Sequence, residues 1–188
     1  SILFNDKLAL MFKNFFHRQN TLVLGVCNGC QMITELAPLI PGAAHFRPMA
    51  RNNSQQFEGR LTLTSLPNSR SCLLKNLEGT RFPIAVAHGE GRFTHTESEV
   101  KKLSEAGLTS LKYTDDQGDF EHTYPGNPNG SAGGLAGLCS EDGRVTIMMP
   151  HPERVVLRSQ LSFCPEGIGR ITPWMGLFDN AWRFVRES

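Results

Sequence analysis

The sequence has no apolar run of the length that a membrane-spanning helix requires, and it has no block of like charges. Its 19 basic and 18 acidic residues give a formal net charge of +1, so neither nucleic acid nor a membrane surface is predicted as the partner. Internal repeats and low-complexity segments are also missing. The composition, 39% hydrophobic and 20% charged, is that of a globular domain, and we expect its ligand to be a small molecule.

Cysteines are few and show no disulfide pattern. The five cysteines are an odd number and stand at irregular spacings. A chain of 188 residues is also long enough to bury a core without stabilising disulfides. The first ten residues also show no basic leader followed by a cleavable apolar segment. We therefore expect a reducing, cytoplasmic environment.

The order of predicted elements indicates an α/β fold. Apolar residues recur at helical spacing over residues 5–18, and the apolar run at residues 21–26 suits a strand buried on both faces of a parallel sheet. Residues 135–140 and 144–149 flank a short turn and should pair as an antiparallel hairpin. The last helix is predicted to start with Thr172 as its N-cap and to pack an apolar face that continues to Val185 against the core.

The stretch LGVCNGCQM, with Cys27 and Cys30 at C-x-x-C spacing, allows three interpretations. A structural zinc site needs four ligands, and the sequence has no second C-x-x-C and no H-x-x-x-H. A dithiol redox motif suits a strand-to-helix junction, because a helix N-terminus lowers the pKa of the first thiol, but it leaves the glycines of the stretch unexplained. In the third interpretation, G-x-C-x-G is a nucleophile elbow, whose glycines let a tight turn hold the central residue in a strained conformation.

In the elbow interpretation, Cys27 is the nucleophile. Its thiol projects from the end of the sheet at a helix N-terminus, where the helix dipole favours the thiolate. The peptide N–H of Asn28 would point at the carbonyl oxygen of a bound acyl group and supply one donor of an oxyanion hole. Cys30, one turn along the helix, is expected to be a small buried packing residue.

A thiol nucleophile needs a base, and the base needs a group that orients it. The sequence offers two H-x-E pairs, His88 with Glu90 and His151 with Glu153. A proline on each side of His151 fixes the backbone just beyond an apolar strand, so Glu153 can accept the imidazole N–H and hold its tautomer. Glycines leave the first pair loosely held, which suits substrate contact or a simple turn. The other histidines are predicted to lie on the surface: His17, His45, His95 and His122.

The elbow and the distant H-P-E resemble the glutaminase domain of the triad-type, class I glutamine amidotransferases. Four further segments are similar to the carboxy-terminal part of the large single-chain phosphoribosylformylglycinamidine synthases: RNNSQQFEGR, FPIAVAHGEGRF, NPNGSAGGLAGL and RVTIMMPHPERV. The likeness covers essentially the whole chain.

This resemblance implies a glutaminase reaction. The Cys27 thiolate would attack the side-chain amide of glutamine, ammonia would leave with a proton from His151, and water would hydrolyse the thioester to glutamate. The ammonia would pass to a synthetase domain of the same polypeptide, which amidates formylglycinamide ribonucleotide with ATP and magnesium in de novo purine synthesis.

The resemblance also suggests residues that bind glutamine. Gln31, by its position in the elbow pattern, is predicted to hold the substrate, with His88 and Glu90 near its amino-acid end. Asn53 and Phe57 are further candidates, and their interpretation as scaffolding of a polar loop is equally open. No metal site is predicted, and the sequence has no G-x-x-x-x-G-K-S/T loop, so we assign no nucleotide site to this segment.

The family pattern places several strands, and a glycine-rich loop that supplies the second oxyanion donor, before the elbow. This sequence has one predicted helix there. We therefore expect residues 1–188 to be a partial glutaminase domain, the carboxy-terminal part of a larger multidomain chain. Its sheet should be doubly wound, mostly parallel and flanked by helices, with the first strands missing. As an isolated chain it should be poorly active.

Two other functions stay open on the sequence. A thiol peptidase or γ-glutamyl hydrolase of the same fold would keep the elbow and the histidine but need not release ammonia. A dithiol redox protein, or a catalytically silent partner-binding domain, would form a reversible Cys27–Cys30 disulfide and no acyl-enzyme.

Overall fold

A six-stranded mixed sheet organises the computed structural model, which describes residues 5–120, 123–164 and 166–187. Within these ranges the strands are β1 (Val23–Val26), β2 (Ala50–Arg51), β3 (Glu58–Ser65), β4 (Arg81–His88), β5 (Glu90–Arg92), β6 (Thr109–Tyr113), β7 (Leu135–Cys139) and β8 (Val145–Met148). The large sheet has the order β1, β8, β7, β6, β3, β4, and β2 and β5 form a separate antiparallel pair.

Helices cover both faces of this sheet. They are α1 (Asp6–Phe16), α2 (Asn28–Glu35), α3 (Glu97–Glu105) and α4 (Met175–Glu187). The first three contribute Phe16, Ile33 and Val100 to one hydrophobic core, and α4 contributes Leu177 to a second core on the opposite face. The predicted α/β class and the doubly wound layering are therefore confirmed. No described helix is long and apolar enough to cross a bilayer.

The expectation of a mostly parallel sheet is wrong for the described residues. Strand β1 pairs with β8 in parallel, with Val26 opposite Met148, and each of the other four pairings in the large sheet is antiparallel. The β7–β8 hairpin, which was predicted, is one of these four. The β7–β8 pair is joined by a short turn, which requires an antiparallel pairing, whereas β1 and β8 are brought together across most of the chain.

Two helix starts follow from local capping. The side chain of Asn5 accepts the N–H of Leu8 at 3.1 Å and begins α1 where the sequence predicts it. Thr96 and Glu99 form a reciprocal capping box at the start of α3. These contacts satisfy N–H groups that no helical carbonyl can reach.

The apolar face predicted for the last helix packs against the core only over its first half. Trp174 and Leu177 are buried, and the indole N–H of Trp174 donates to the Pro83 carbonyl at 2.8 Å. Trp182 and Val185 are 60% and 61% exposed, so the prediction that the stripe packs to its end is wrong. The helix itself begins at Met175, after the predicted N-cap Thr172.

The predicted surface position of His45 and His95 is also wrong. His95 is 5% exposed and its Nε2–H donates to the His45 carbonyl at 2.8 Å, while the half-buried His45 donates from Nε2 to the Cys139 carbonyl at 2.9 Å. Burial lowers the pKa of both rings. His17 is exposed as predicted, and His122 lies outside the described residues.

Candidate active site

Cys27 lies at the junction of β1 and α2, as the elbow pattern predicts. Its backbone has φ +51° and ψ −110°, a conformation that costs a non-glycine residue about 1–3 kcal/mol. Contacts on both sides hold it there, because the Cys27 N–H donates to the Met148 carbonyl at 2.9 Å and its carbonyl accepts the N–H of Gln31 at 3.1 Å. The thiol is thereby presented at the sheet edge and at the helix N-terminus.

Gly25 is the glycine that the elbow requires on steric grounds. A Cβ at Gly25 would lie 2.9 Å from the carbonyl oxygen of Gly29 and 3.1 Å from Cγ1 of Ile33, whereas a Cβ at Gly29 would meet no atom within 4 Å. We predict that Gly25→Ala lowers the free energy of unfolding by about 1–3 kcal/mol, because helix α2 must move away from β1.

The matched control is Gly29→Ala, which removes the other glycine of the elbow. It lies within α2, where alanine is favoured over glycine by about 1 kcal/mol, so this variant should be as stable as the parent or more stable. Urea unfolding of the three proteins measures the difference. Equal losses of stability in the two variants would contradict the steric account.

His151 lies beside Cys27 because β1 and β8 are adjacent parallel strands, whose carboxyl ends meet at one edge of the sheet. It follows β8 after two residues, and its N–H donates to the Ala85 carbonyl at 2.7 Å, which ties the segment to β4. The next three residues, Pro152–Arg154, form a short 3₁₀ helix. This turn directs Glu153 back to the imidazole, and Nδ1 of His151 donates to Oε1 of Glu153 at 2.6 Å.

The charges of these side chains favour an ion pair. Interaction with His151 is the main reason that the pKa of the Cys27 thiol lies below its usual value, and the Asn28 N–H and the Arg154 guanidinium act in the same direction against partial burial. Cys27 and Glu153 raise the pKa of His151. At neutral pH this arrangement increases the fraction of thiolate, which is the nucleophilic form.

The second ring nitrogen of His151 is available for proton transfer. Its Nε2 is buried and has no hydrogen bond of ordinary geometry to the described residues. The neutral thiol of Cys27 is instead within 3.7 Å of the Ala87 carbonyl, which can accept its weak S–H donor. Hydrogen bonding between the thiol and the imidazole is nevertheless the largest cause of the lowered pKa of Cys27, and the charge of His151 adds to it.

Glu153 should set the tautomer of His151. We predict that Glu153→Gln lowers kcat for thiol-dependent turnover by about 10²-fold, because a glutamine amide can present its N–H to Nδ1 and so place the imidazole hydrogen on Nε2. The loss should be smaller than for a fully enclosed carboxylate, since the Glu153 side chain is 46% exposed.

The matched control is Glu90→Gln, in the other H-x-E pair, whose carboxylate pairs with Arg51 and not with an imidazole. Steady-state kinetics and a pH profile of both variants separate an effect on the tautomer from a general loss of charge. A Glu153→Gln enzyme with unchanged kcat and pH profile would contradict the assigned orientation.

The predicted oxyanion donor is adjacent to the thiol. Asn28 is the first residue of α2, so its N–H has no partner within the helix, and it contributes to lowering the pKa of Cys27. Its side chain is exposed. The role of this N–H in stabilising an acyl oxyanion stays a prediction.

Gln31 and Glu90 are close to each other, and their predicted contacts with glutamine stay a prediction. The amide nitrogen of Gln31 donates to the Glu90 carbonyl at 2.7 Å and so ties α2 to β5. The side chain of Glu90 is 57% exposed and pairs with Nε of Arg51 at 3.3 Å. The amide oxygen of Gln31 is therefore the group that is available to a ligand.

His88 is buried near the same edge. It is 3% exposed, its Nδ1 is 3.2 Å from Oδ1 of Asn52, and its Nε2 has no partner among the described residues. Burial, followed by the charge of His151, lowers the pKa of His88 to about 4. Because the Asn52 oxygen can only accept, Nδ1 carries the hydrogen and Nε2 is an acceptor within the protein interior.

Asn52 is a residue of this region that the sequence did not single out. It is fully buried, and its amide nitrogen donates to the carbonyls of His88 and Gln56 at 2.8 Å and 3.0 Å. The doublet Asn52–Asn53 was the available signal, but the sequence alone does not show which of the two points inward. The contact of Asn52 with the carbonyl of His88, at the end of β4, decides it.

Asn53 and Phe57 are both exposed, and their role in binding glutamine stays a prediction. Asn53 is exposed, its N–H donates to the Asn129 carbonyl at 3.1 Å, and its side chain lies so close to Gly130 that a Cβ there would clash with it. Phe57 is 69% exposed. No hydrogen bond within the described chain links either residue to Cys27, His151 or Glu153.

Among the described residues, no group of three His, Cys, Asp or Glu side chains is placed so that it could hold a metal ion. Cys30 is fully buried within the core formed with α1 to α3, and burial raises its pKa well above the usual value. Its predicted role as a packing residue is consistent with this position.

Comparison with known proteins agrees with the geometry. A model of the CobB/CobQ-like glutamine amidotransferase domain matches residues 1–185. The structure of PurLQS from Thermotoga maritima is similar with a TM-score of 0.66 and 23% identity, over 95% of this chain and 68% of that one. A putative GMP synthase component from Thermoplasma acidophilum is similar with a TM-score of 0.52 and 12% identity, over 96% of this chain and 65% of that one. At these identities the two structures show a shared fold, and the chain spans about two thirds of the length of each.

Proposed function

The chain belongs to the CobB/CobQ-like glutamine amidotransferase domain family, and from that membership we propose that it releases ammonia from glutamine at Cys27. The observation that carries the proposal is the arrangement at the sheet edge. A strained cysteine at a helix N-terminus faces an imidazole whose other nitrogen is held by Glu153 at 2.6 Å. Nucleophile, base and orienting group are thus in the order that acyl transfer requires.

The reaction proceeds through a thioester. The Cys27 thiolate attacks the δ-carbon of glutamine, and the oxyanion that forms accepts the N–H of Asn28. The C–N bond then breaks, and His151 gives its Nε2 proton to the departing nitrogen, which leaves as ammonia. A water molecule, whose proton passes to His151, attacks the thioester and releases glutamate and the Cys27 thiolate.

We further propose that the ammonia is used by a phosphoribosylformylglycinamidine synthase. The four segments that resemble the carboxy-terminal part of that synthase support this assignment, and the fold shared with PurLQS agrees with it. Residues 1–188 would then serve as its glutaminase domain, and a synthetase domain would bind ATP, magnesium and formylglycinamide ribonucleotide. We place no step of the ATP chemistry on the described residues, since they offer no cluster of metal-ligating side chains.

The test of the proposal is covalent labelling with a diazo-ketone analogue of glutamine, followed by intact-mass measurement and peptide mapping. We would run it on this chain and on a form extended at its amino end. One adduct, located at Cys27 with Cys30 unmodified, is the expected result. Labelling of Cys30 with Cys27 left free, in either form, would overturn the assignment.

The enzymatic readout separates the proposal from a peptidase or γ-glutamyl hydrolase of the same fold. Glutamate and ammonia should appear in equal amounts from free glutamine. Cleavage of a peptide or of a γ-glutamyl amide, with no glutaminase activity, would favour the alternative.

The dithiol alternative has little structural support. Cys30 has no exposed surface and its pKa is raised, so it is a poor partner for thiol exchange. All five cysteines are free thiols in the structure.

A further inference from the structure

Lys112 is a buried cation that the glutaminase chemistry does not use. The residue is 3% exposed and lies in β6, opposite Leu135 of β7 and Ser65 of β3. Its neighbours in the strand, Leu111 and Tyr113, belong to the core on the α4 side of the sheet. Lys112 is directed to the other face, where α3 packs.

Among the described residues, the ammonium group has an aromatic neighbour but no anionic one. Nζ lies 3.5 Å from the centroid of the Phe120 ring, a cation–π contact, and no carboxylate within the described ranges pairs with it. Burial lowers its pKa to about 8. A buried ammonium without a counterion is costly, and an anion that reached it would remove part of that cost.

A cavity of about 340 Å³ gives access to this group. One wall is the face of α3 at i, i+3, i+4, i+7 and i+8, and the others are Lys112, Phe120 and Gly133. The size is that of a small-molecule site, and Lys112 is the buried charged group of its lining. The α3 residues on this face are Glu97, Val100, Lys101, Ser104 and Glu105.

The wall formed by Phe120 is held in place by the turn that follows β6. Thr114 pairs with Phe120 as an antiparallel bridge, and its hydroxyl donates to the Asp119 carbonyl at 2.8 Å. The carboxylate of Asp115 accepts the N–H groups of Gln117 and Asp119, both at 2.9 Å. The turn thus folds the ring back over Lys112, although 46% of Phe120 stays exposed.

We propose that this cavity, between α3 and β6, binds a small monocarboxylate with an apolar body, whose carboxylate pairs with the Lys112 ammonium. A single ammonium matches a single negative charge. The exposed carboxylates of Glu97 and Glu105 on the α3 wall disfavour a dianion such as phosphate. The apolar body contacts Val100 and the Phe120 ring.

The test compares phenylacetate with phenylacetamide, which has nearly the same shape and no charge, by isothermal titration calorimetry on the protein. Phenylacetate should bind at least about tenfold more tightly than the amide, the difference expected for one charged hydrogen bond, and more tightly than inorganic phosphate. Equal affinities of acid and amide, tighter binding of phosphate, or no binding of phenylacetate would each overturn the proposal.

Two lysine variants locate the charge. Lys112→Met keeps the length of the side chain and removes the buried charge, so it should fold and should bind acid and amide equally weakly. Lys101→Met, on the exposed wall of the same cavity, should keep the preference for the acid. Preference for the acid that survives in Lys112→Met would contradict the site. If that variant does not fold, the comparison of acid and amide on the parent protein still decides the question.

Discussion

Cys27→Ser is expected to lower glutaminase turnover by about 10⁴-fold or more and to abolish labelling by the diazo-ketone analogue. The hydroxyl has a far higher pKa than the thiol, so the ion pair with His151 that favours the reactive anion in the parent protein does not form. The side chain otherwise keeps its size, and the elbow should fold unchanged. The rate is measured as release of glutamate from glutamine. The assay uses whichever form is active, this chain or the form extended at its amino end.

The control for this change is Cys30→Ala, one turn along the same helix. This thiol is fully buried in the core, so its removal should cost stability and leave the rate of glutamate release within a few-fold of the parent. Cys27→Ser should therefore lose activity and keep the urea midpoint of the parent. Cys30→Ala should keep its activity and unfold at a lower urea concentration. A Cys30→Ala protein as inactive as Cys27→Ser would restore the dithiol interpretation.

His151→Gln is expected to reduce turnover by about 10²- to 10⁴-fold and to change the pH dependence of the thiol. His151 is the main cause of the lowered pKa of Cys27, so its removal should move that pKa upward, towards the ordinary thiol value. At neutral pH less thiolate is then present, and Cys27 should react more slowly with iodoacetamide. The alkylation rate measured across pH gives the midpoint for parent and variant.

The control for His151→Gln is His17→Gln, since His17 is an exposed histidine at the end of α1 whose Nδ1 contacts the Lys13 carbonyl at 2.7 Å. Its alkylation profile should match that of the parent protein. An unchanged midpoint in His151→Gln, or a midpoint moved downward, would refute the assigned ion pair. His88→Gln serves as a second comparison, because it removes an imidazole that carries no charge. The pKa of His88 is about 4, so this ring is neutral in the parent protein over the same pH range.

Local sequence patterns predicted the parts of the site that depend on near neighbours. The turn around Cys27 follows from Gly25, which permits the close approach of helix and strand, and the Glu153 contact follows from the turn that begins at Pro152. The β7–β8 hairpin and the first helix cap are likewise set within a few residues. The roles of these side chains in catalysis remain predictions that the variants above would test.

Contacts between distant segments decided what the sequence could not. The sheet is largely antiparallel beyond β1 and β8, because strand direction depends on which segments pair and not on their apolar content. Which asparagine of the doublet 52–53 is buried depends on contact with β4, 36 residues away in the chain.

The amino-acid sequence by itself determined the elbow, the H-P-E turn and the alternation of helices and strands, since each depends on spacing and backbone freedom over a few residues. Only the tertiary structure placed His151 beside Cys27, through the parallel pairing of β1 and β8 across more than a hundred residues. It also buried Lys112 under Phe120, in a strand whose five residues are all buried. The reason is physical: pairing and burial are properties of segments that meet in space, and their energies do not appear in any one stretch of the chain.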